Sequence, residues 1–211
     1  MAWWGYENEK NKNKPDRWRK SGQKTLTNNR CKKAKEIIEK AKNSPLSATD
    51  LIFLLRKQNN FAGVFPSDKL KSFRVLVPPV FIIINIDTSN ESGSHWISVR
   101  IGRSTVEIFD SLGFNANLWG KYPKHLIKFL GRYSASHKFY ISPILQPPNY
   151  FDCGLYCVFF VVYRNFLTFR TCVEKFSINL NQNPIILNSL LLKRFKYFCL
   201  IIPLHFSLYG F

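Results

Sequence analysis

Apolar residues recur through the middle of the chain in runs that have the length and alternation of β-strands. Residues 80–86 form a run that is apolar and mostly β-branched, with Asn85 as its one polar position, bounded by prolines and a polar loop, which predicts a buried central strand. Residues 96–101 and 105–110 alternate apolar and polar positions on either side of Gly102-Arg103-Ser104, which predicts a tight antiparallel hairpin. The pattern therefore predicts a sheet built around these three strands.

Helices are indicated on both sides of these strands. Ser47, followed three residues later by Asp50, has the pattern of a capping box, and the apolar residues after it predict a helix that runs to about Lys57. An almost wholly apolar stretch at 154–169 predicts a helix that the rest of the fold buries. Other expected elements are helices at 30–42 and 118–130, a strand at 138–142 and a turn at 63–66.

The regular pattern ends near Cys172. Residues 184–211 are rich in Leu, Ile and Phe, but charges and Pro203 interrupt them, and the last apolar run is shorter than the about 20 residues that a spanning helix needs. We expect a packed or poorly folded tail, with a membrane anchor as the less favoured alternative. The predicted organisation is a basic, partly flexible extension at 1–43, a globular domain at 44–175 and an atypical apolar tail at 176–211.

The charge distribution points to an anionic partner. The 211 residues carry 31 Lys and Arg against 13 Asp and Glu, a formal net charge of +18, which favours nucleic acid, an acidic membrane surface or an acidic protein. Residues 1–43 hold 13 Lys and Arg but five acids. They fit either a nucleic-acid-binding arm, with Trp18 as a stacking platform, or a solvated, partly helical extension. The candidate nucleic-acid-binding residues are Lys12, Lys14, Arg17, Trp18, Arg19, Lys20, Lys32, Lys33 and Lys35.

Hydrophobic content and cysteine usage narrow the class of protein. Hydrophobic residues make up 45% of the chain and aromatic residues 16%, too many for an intrinsically disordered chain. The five cysteines form no CxxC pair and no Cys/His group with zinc-ligand spacing. We therefore expect free thiols, a reducing compartment and no metal. The N-terminal residues lack the apolar stretch of a signal peptide, so we expect an intracellular protein that is not secreted.

Cys153 stands at the junction of a polar loop and the apolar helix. Unpaired backbone N–H groups and the positive end of the helix dipole favour a thiolate at this position. Most cysteines are inert buried thiols, and Cys157, one turn further along, fits that description. The loop junction, with Gly154 leaving space beside the sulfur, favours Cys153 as a nucleophile.

A histidine and an acid are expected to meet at one end of the hairpin. His95 begins one hairpin strand and Asp110 ends the other, so antiparallel pairing brings the two residues close. Asp110 would then accept the imidazole N–H and set the tautomer of the ring. The alternatives are a structural histidine and an acid that only ends a strand.

Gln146 lies seven residues before Cys153, in a loop stiffened by two prolines. An amide donor aimed at a developing oxyanion, with the backbone N–H of Cys153 as second donor, is what acyl transfer requires. The alternative is a solvated loop glutamine.

Three motifs together carry a family resemblance. The order is His95-Trp96, then Phe-Asp-Ser-Leu-Gly-Phe at 109–114, then Gln146 with six residues before Cys-Gly-Leu-Tyr-Cys at 153–157. Over roughly residues 44–172 the chain resembles the adenovirus endopeptidase (adenain) family and its relatives in Polinton (Maverick) transposons and related viruses, in one clan of cysteine peptidases with the SUMO-specific proteases. Adenovirus endopeptidase has Glu where Asp110 stands, whereas the SUMO-protease branch uses Asp there.

The resemblance implies a fold and a set of roles. The fold would be α+β, a papain-like cysteine peptidase fold of the adenain/SUMO-protease type, with a mixed sheet and the nucleophile at the N-terminus of a buried helix. Cys153 would be the nucleophile, His95 the general base and acid, Asp110 the orienting acid and Gln146 the oxyanion donor. Substrate would bind near Trp96 and Gly154.

The same resemblance implies partners. No cofactor or metal would be needed, with an activating peptide and non-specific DNA as accessory factors. We expect a protein substrate, no membrane partner and a monomer, located in the nucleus, the virion or a viral factory.

Three functions follow from these observations. The favoured one is a cysteine endopeptidase of a virus or virus-like mobile element, which cleaves structural precursor proteins at small or Gly-containing sites through a Cys-His-Asp triad. The second is a cellular protease that removes ubiquitin-like proteins of the SUMO type. The third is a decayed copy that acts only as a basic nucleic-acid-binding module, which the unusual tail favours and the intact candidate triad opposes.

Overall fold

The computed structural model describes residues 16–114 and 122–201, with side chains described at 28–114 and 122–195. Two compact units divide these residues. The larger unit comprises residues 37–191 and contains the sheet, and the smaller one comprises the described residues up to 36 and from 192 onward. The predicted domain boundaries at 43 and 175 stay a prediction.

A five-stranded mixed sheet forms the centre of the larger unit. Its strands are β1 (Phe61–Pro66), β2 (Val80–Asn85), β3 (Trp96–Ile101), β4 (Thr105–Phe109) and β5 (Lys138–Ile141), in the spatial order β1-β2-β3-β4-β5. β1 pairs with β2 and β4 with β5 in parallel, whereas β2, β3 and β4 are antiparallel neighbours. The predicted interior strand, the hairpin and the strand at 138–142 are thus confirmed.

The expected turn at 63–66 is wrong, because these residues belong to β1. Gly63 has a φ of +138° and lies at an irregularity in the register between β1 and β2. A glycine adopts this conformation without the steric cost of a side chain, and a proline at the end of an edge strand removes no ladder bond that the sheet needs. The turn-forming residues therefore fit a bulged edge strand equally well.

Helices cover both faces of the sheet. The helices in the described part of the chain are α1 (Asp16–Lys40), α2 (Ala48–Leu55), α3 (Lys124–Gly131), α4 (Cys153–Tyr163), α5 (Phe169–Val173) and α6 (Asn183–Ile201), with short 3-10 helices at Ser67–Lys71 and Leu180–Gln182. On one face α4 packs its aromatic residues on β2 and β4, as Phe160 stacks 4.6 Å from Phe109. On the other face α3 buries Leu126, Phe129 and Leu130 against the isoleucines and valines of β2, β3 and β4. The separate helices and mixed sheet confirm the α+β class.

Local signals specify some helix ends and not others. The capping box at Ser47 is present, because its hydroxyl accepts the Asp50 backbone N–H and the Asp50 carboxylate accepts the Ser47 N–H. The apolar helix predicted at 154–169 instead ends at Tyr163, and a second helix, α5, begins after Thr168, whose hydroxyl accepts the Thr171 N–H. Part of the helix predicted at 118–130 lies outside the described residues.

One cysteine differs from expectation. Cys31, on α1, is disulfide-bonded, so the expectation that all five thiols are free is wrong. Cys153, Cys157 and Cys172 are free thiols. Sequence spacing revealed no pairing because a disulfide depends on proximity in space, not along the chain.

Candidate active site

His95 and Asp110 meet at one end of the sheet. Ser98 pairs with Phe109 across β3 and β4, so that His95, just before β3, and Asp110, just after β4, come to the same end. His95 Nε2 lies 2.7 Å from Asp110 Oδ1. His95 is 7% exposed and Asp110 1% exposed, so water competes little with this contact. The predicted juxtaposition is present.

Three further groups hold Asp110 in place. Its Oδ1 accepts the backbone N–H of Leu112 at 2.9 Å, which is the turn that an aspartate favours after a strand. Its backbone is held by Ser142, just beyond β5, whose hydroxyl accepts the Asp110 N–H and donates to the Asp110 carbonyl. The Tyr122 hydroxyl approaches the other carboxylate oxygen at 3.4 Å. Asp110 therefore keeps one orientation toward His95.

Cys153 is the first residue of α4 and reaches the same imidazole. Burial by itself lowers the pKa of His95, but hydrogen bonds to Asp110 and to Cys153 and the negative charge of both partners outweigh it and raise the pKa to about 9. Since Asp110 contacts Nε2, the other ring nitrogen, Nδ1, is the one left for the thiol. The imidazole thus joins an acid on one side to a cysteine at a helix N-terminus on the other.

Gln146 is buried and its amide is held by two contacts. The Ser111 hydroxyl donates to Gln146 Oε1 at 2.7 Å, and Gln146 Nε2 donates to the Tyr150 carbonyl at 2.6 Å. The backbone N–H groups of Leu145 and Gln146 both donate to the Ser111 carbonyl, which attaches the loop to the end of β4. The residue is not a solvated loop glutamine, since it is 3% exposed. One N–H of its amide remains for a ligand.

Comparison with known families decides the identity of this arrangement. The family model of the Ulp1 protease family, C-terminal catalytic domain, matches residues 5–179, which is most of the chain. The chain belongs to the Ulp1 protease family. Members of this family are cysteine-type peptidases that need no cofactor, and the family lies in the same clan as adenain. The family resemblance and the fold that it implies are therefore confirmed.

One solved structure that is similar to the chain is the Ulp1-like SUMO protease catalytic domain of Chaetomium thermophilum. The two share 17% sequence identity with a TM-score of 0.30, over 55% of this chain. This Ulp1-family chain spans 46% of the length of that catalytic domain. No curated protein matches the chain.

Trp96 and Gly154 were predicted to bind substrate, and the structure shows what each contacts. Trp96 is 9% exposed and its indole N–H donates to the Leu46 carbonyl at 2.8 Å. A Cβ added at Gly154 would meet Leu46 at 3.1 Å and Leu51 at 3.4 Å, so the glycine allows α4 to approach α2. Their substrate-binding roles stay predictions.

The nucleic-acid-binding prediction also stays a prediction. Lys12 and Lys14 lie outside the described residues, and Arg17, Trp18, Arg19 and Lys20 belong to the part of α1 whose side chains are not described. Lys32, Lys33 and Lys35 are exposed on α1.

Sequence reasoning missed the residues that support the site. Ser111 follows Asp110 directly in the motif at 109–114, so its position in that motif is the one sequence signal for its contact with Gln146. Ser142 and Tyr122 reach Asp110 from distant segments and carry no local signal.

Two absences hold for the residues that the structure describes. Residues 16–114 and 122–201 contain no group of three His, Cys, Asp or Glu that could hold a metal ion. Over the same ranges, no helix combines the length and apolar character needed to cross a membrane.

Proposed function

We propose that this chain is a cysteine peptidase in which Cys153 is the nucleophile, His95 the general base and acid, and Asp110 the residue that orients His95. One observation carries the proposal: the buried His95 imidazole contacts Asp110 Oδ1 at 2.7 Å, and the Cys153 thiol at the start of α4 is close enough to the same ring to help raise its pKa. An acid, an imidazole and a thiol in this order are what thiol-dependent acyl transfer requires.

The reaction follows from these positions. The Cys153 thiolate attacks the carbonyl carbon of the scissile peptide bond, and the carbonyl oxygen becomes an oxyanion. The His95 imidazolium then donates its proton to the leaving nitrogen as the C–N bond breaks, which leaves a thioester on Cys153. Neutral His95 next takes a proton from water, whose oxygen attacks the thioester and releases the acid product and the thiol. Asp110 holds the orientation of the ring throughout and stabilises the imidazolium.

Gln146 and the backbone N–H of Cys153 are the proposed oxyanion donors. Because Ser111 and the Tyr150 carbonyl fix the amide, its remaining N–H costs no reorganisation when charge develops. Gln146→Ala is expected to lower kcat by about 10²- to 10³-fold. Ser111→Ala, which frees the amide without removing it, should produce a smaller loss. A loss of thermal stability with unchanged kcat would instead make Gln146 a structural residue.

The substrate class has two candidates. Membership of the Ulp1 family favours a ubiquitin-like protein with a C-terminal Gly-Gly, of the SUMO type. The motif order and the adenain resemblance favour structural precursor proteins of a virus or mobile element, cut at small or Gly-containing sites, in the nucleus or a viral factory. We place the ubiquitin-like class first because the family match spans residues 5–179.

A substrate panel tests both the chemistry and the class. The purified chain and Cys153→Ser are compared on a SUMO C-terminal fluorogenic conjugate and on Gly-containing peptides. Cleavage of the conjugate alone supports deconjugation, and cleavage of the peptides alone supports the viral-type alternative. Equal activity of the two chains, or none in either, would overturn the peptidase proposal and favour the decayed, nucleic-acid-binding copy.

Selective alkylation tests the nucleophile independently of substrate. Burial raises the pKa of Cys157 well above its usual value and that of Cys172 to about 12, so both stay protonated at neutral pH. Iodoacetamide at pH 7, followed by mass mapping, should label Cys153 before Cys157 and Cys172, because among these three described free thiols it alone has an imidazolium partner. Labelling of Cys153 at the rate of Cys172 would remove the nucleophile assignment.

A further inference from the structure

Two arginines from different segments converge on the same pair of carbonyl oxygens. Arg74, after the first 3-10 helix, donates from Nη1 to the carbonyls of Lys71 at 2.7 Å and Phe73 at 2.9 Å. Arg132, at the C-terminal end of α3, donates to the same two oxygens at 2.9 and 3.1 Å. Both side chains are exposed. Two like charges are thus held together, where they repel each other.

No carboxylate among the described residues neutralises this pair. Neither guanidinium takes part in a salt bridge within residues 28–114 and 122–195. Burial raises the pKa of the nearby Tyr133 hydroxyl, and the positive charges of Arg132 and Arg74 both oppose this rise. Arg74 Nη2 and Nε donate to no described protein group, so these donors remain for a ligand.

The two segments that carry the arginine pair contain charges of one sign only. Residues 69–86 and 111–151 contain no Asp or Glu. The acid that precedes the first segment, Asp68, is already engaged, because it accepts from Ser89 and pairs with Lys69 at 3.1 Å. The two acid-free segments meet where Phe73 packs on Phe129, with ring centroids 6.1 Å apart.

The positive charges continue along one helix. Lys124, Lys128 and Arg132 are spaced four residues apart, and all three are exposed while Leu126, Phe129 and Leu130 face the core. Positions four apart lie on one side of a helix, so the row extends over about 12 Å. A single phosphate group needs only one arginine fork, whereas a row of this length fits a polymer with closely spaced charges. Duplex DNA carries one negative charge for about each 1.7 Å of its axis.

We propose that the face formed by Lys71, Arg74, Lys124, Lys128 and Arg132, named here the α3 face, binds the phosphate backbone of nucleic acid. The two arginines form a forked phosphate clamp and the lysines of α3 follow the backbone away from it. The face is distinct from residues 1–43, which the sequence identified as either a nucleic-acid-binding arm or a solvated extension. It is also distinct from the candidate catalytic residues, and the proposal does not depend on proteolysis.

The test compares two double variants with the same change of charge. Arg74→Gln/Arg132→Gln removes both charges but keeps amide donors for the Lys71 and Phe73 carbonyls. Lys57→Gln/Lys175→Gln is the matched control, since both lysines are exposed and follow α2 and α5. Binding of the full chain to a fluorescein-labelled random-sequence DNA duplex is followed by anisotropy at several salt concentrations. The arginine variant should flatten the log–log salt dependence by about 1.8, and the control should change it little.

Each other outcome overturns the proposal. Equal flattening by both double variants would mean that charge acts diffusely, and no flattening by the arginine variant would mean that the face does not bind DNA. If the arginine variant weakens binding to fluorescein-labelled poly-glutamate but leaves DNA binding unchanged, the face binds acidic polypeptide instead. Should the arginine variant fail to fold, Lys124→Gln/Lys128→Gln replaces it, because these exposed lysines make no hydrogen bond that the structure describes.

Discussion

His95 is a residue whose two ring nitrogens serve different partners. Its pKa is raised to about 9 because hydrogen bonds and charges from Asp110 and Cys153 outweigh the effect of burial. The imidazolium should therefore remain the dominant form until the pH approaches 9. The same shift stabilises the fold fully below pH 6.5, and this stabilisation is lost as the pH rises through about 9.

The pH profile of the reaction should report this shift. We expect kcat/KM to fall as the pH rises through about 9, because the acid that protonates the leaving nitrogen is lost. Asp110→Asn removes one cause of the raised pKa and should move this alkaline limb to lower pH while reducing turnover. The control is Glu174→Gln, an exposed acid just after α5. An alkaline limb that does not move in Asp110→Asn would contradict the proposed role of Asp110.

Asp152 is a buried acid beside the candidate nucleophile. It precedes α4 but its side chain does not cap the helix, and its Oδ1 has no hydrogen-bond partner among the described residues. Burial raises its pKa from 3.8 to about 6, so the folded state holds this proton more tightly than the unfolded state. Asp152 therefore costs nothing below pH 3.8, and its full cost is present above pH 6.

Asp152→Asn should accordingly stabilise the protein at neutral pH. The gain in the free energy of unfolding at pH 7 is expected to reach up to about 3 kcal/mol, at about 1.4 kcal/mol for each pKa unit. The gain should disappear near pH 4, where the buried carboxyl of the native protein is protonated. Urea unfolding of both proteins at the two pH values measures the difference. A gain that is the same at both pH values would show that the charge of Asp152 is not its cause.

At the scale of elements, a buried ion cluster joins the hairpin to the helix that carries Cys153. Glu107 of β4 is 2% exposed and contacts Arg100 of β3 at 3.0 Å. It also accepts two bonds, at 2.7 and 2.8 Å, from Arg164, the residue that ends α4. The C-terminal end of α4 is therefore attached to the sheet by a two-pronged contact of the kind that arginine makes with carboxylates.

Loss of this carboxylate should destabilise the whole fold. Glu107→Gln leaves Arg100 and Arg164 partly buried without a counter-charge, and we expect a loss of about 3 to 5 kcal/mol in the free energy of unfolding. Glu174→Gln is the matched control, because its ion pair with Arg170 is largely exposed and should contribute no more than about 1 kcal/mol. Denaturant unfolding distinguishes the two. Equal effects would show that burial of the pair is not decisive.

Whether an element was predictable depended on where its stabilising contacts lie. β2, the β3–β4 hairpin and the start of α2 carry their signals within a few residues, and all three are present. β1 was missed because Gly63 and Pro66 are typical of turns, and only pairing with β2 makes them a strand. The apolar stretch after Cys153 gave no signal for the end of α4 at Tyr163. That end coincides with the bonds from Arg164 to Glu107 and is followed by the Thr168 cap of α5.

At the scale of the whole molecule, a chain with a net charge of +18 has two candidate surfaces for nucleic acid. One is the α3 face and the other is the cluster of basic residues within 1–43, named here the N-terminal cluster. Deletion of residues 1–43 would remove the buried residues Ile37, Ile38 and Ala41 as well as the basic ones. A loss of DNA binding could then result from a loss of folding and not from a loss of charge. Substitution of charges is therefore the cleaner test.

We expect Arg17→Gln/Arg19→Gln/Lys20→Gln to flatten the salt dependence of DNA binding by about 0.9 for each phosphate that the variant no longer neutralises. Arg56→Gln/Lys57→Gln/Lys175→Gln is a control with the same change of charge. Peptide cleavage should be unchanged in both variants, because every candidate catalytic residue lies beyond position 90. A salt dependence equal to that of the control would show that the cluster is a solvated extension.

The sequence alone determined the candidate chemistry and its order along the chain. Hairpin periodicity was sufficient to bring His95 and Asp110 to one end of the sheet, since antiparallel register follows from a short turn. The position of Cys153 at a loop-to-helix junction was visible in the change from polar to apolar residues. These inferences succeeded because each depends on contacts between neighbours in the chain.

Only the tertiary structure decided what supports that chemistry. Ser142 holds Asp110 across 32 positions, and Arg132 meets Arg74 from a separate segment. Asn183 of α6 donates to the Leu145 carbonyl, next to Gln146, although the sequence indicated only a degraded pattern there. The Cys31 disulfide is another bond that the sequence did not indicate. Such contacts leave no periodic trace, because their energy depends on which distant segments the fold brings together.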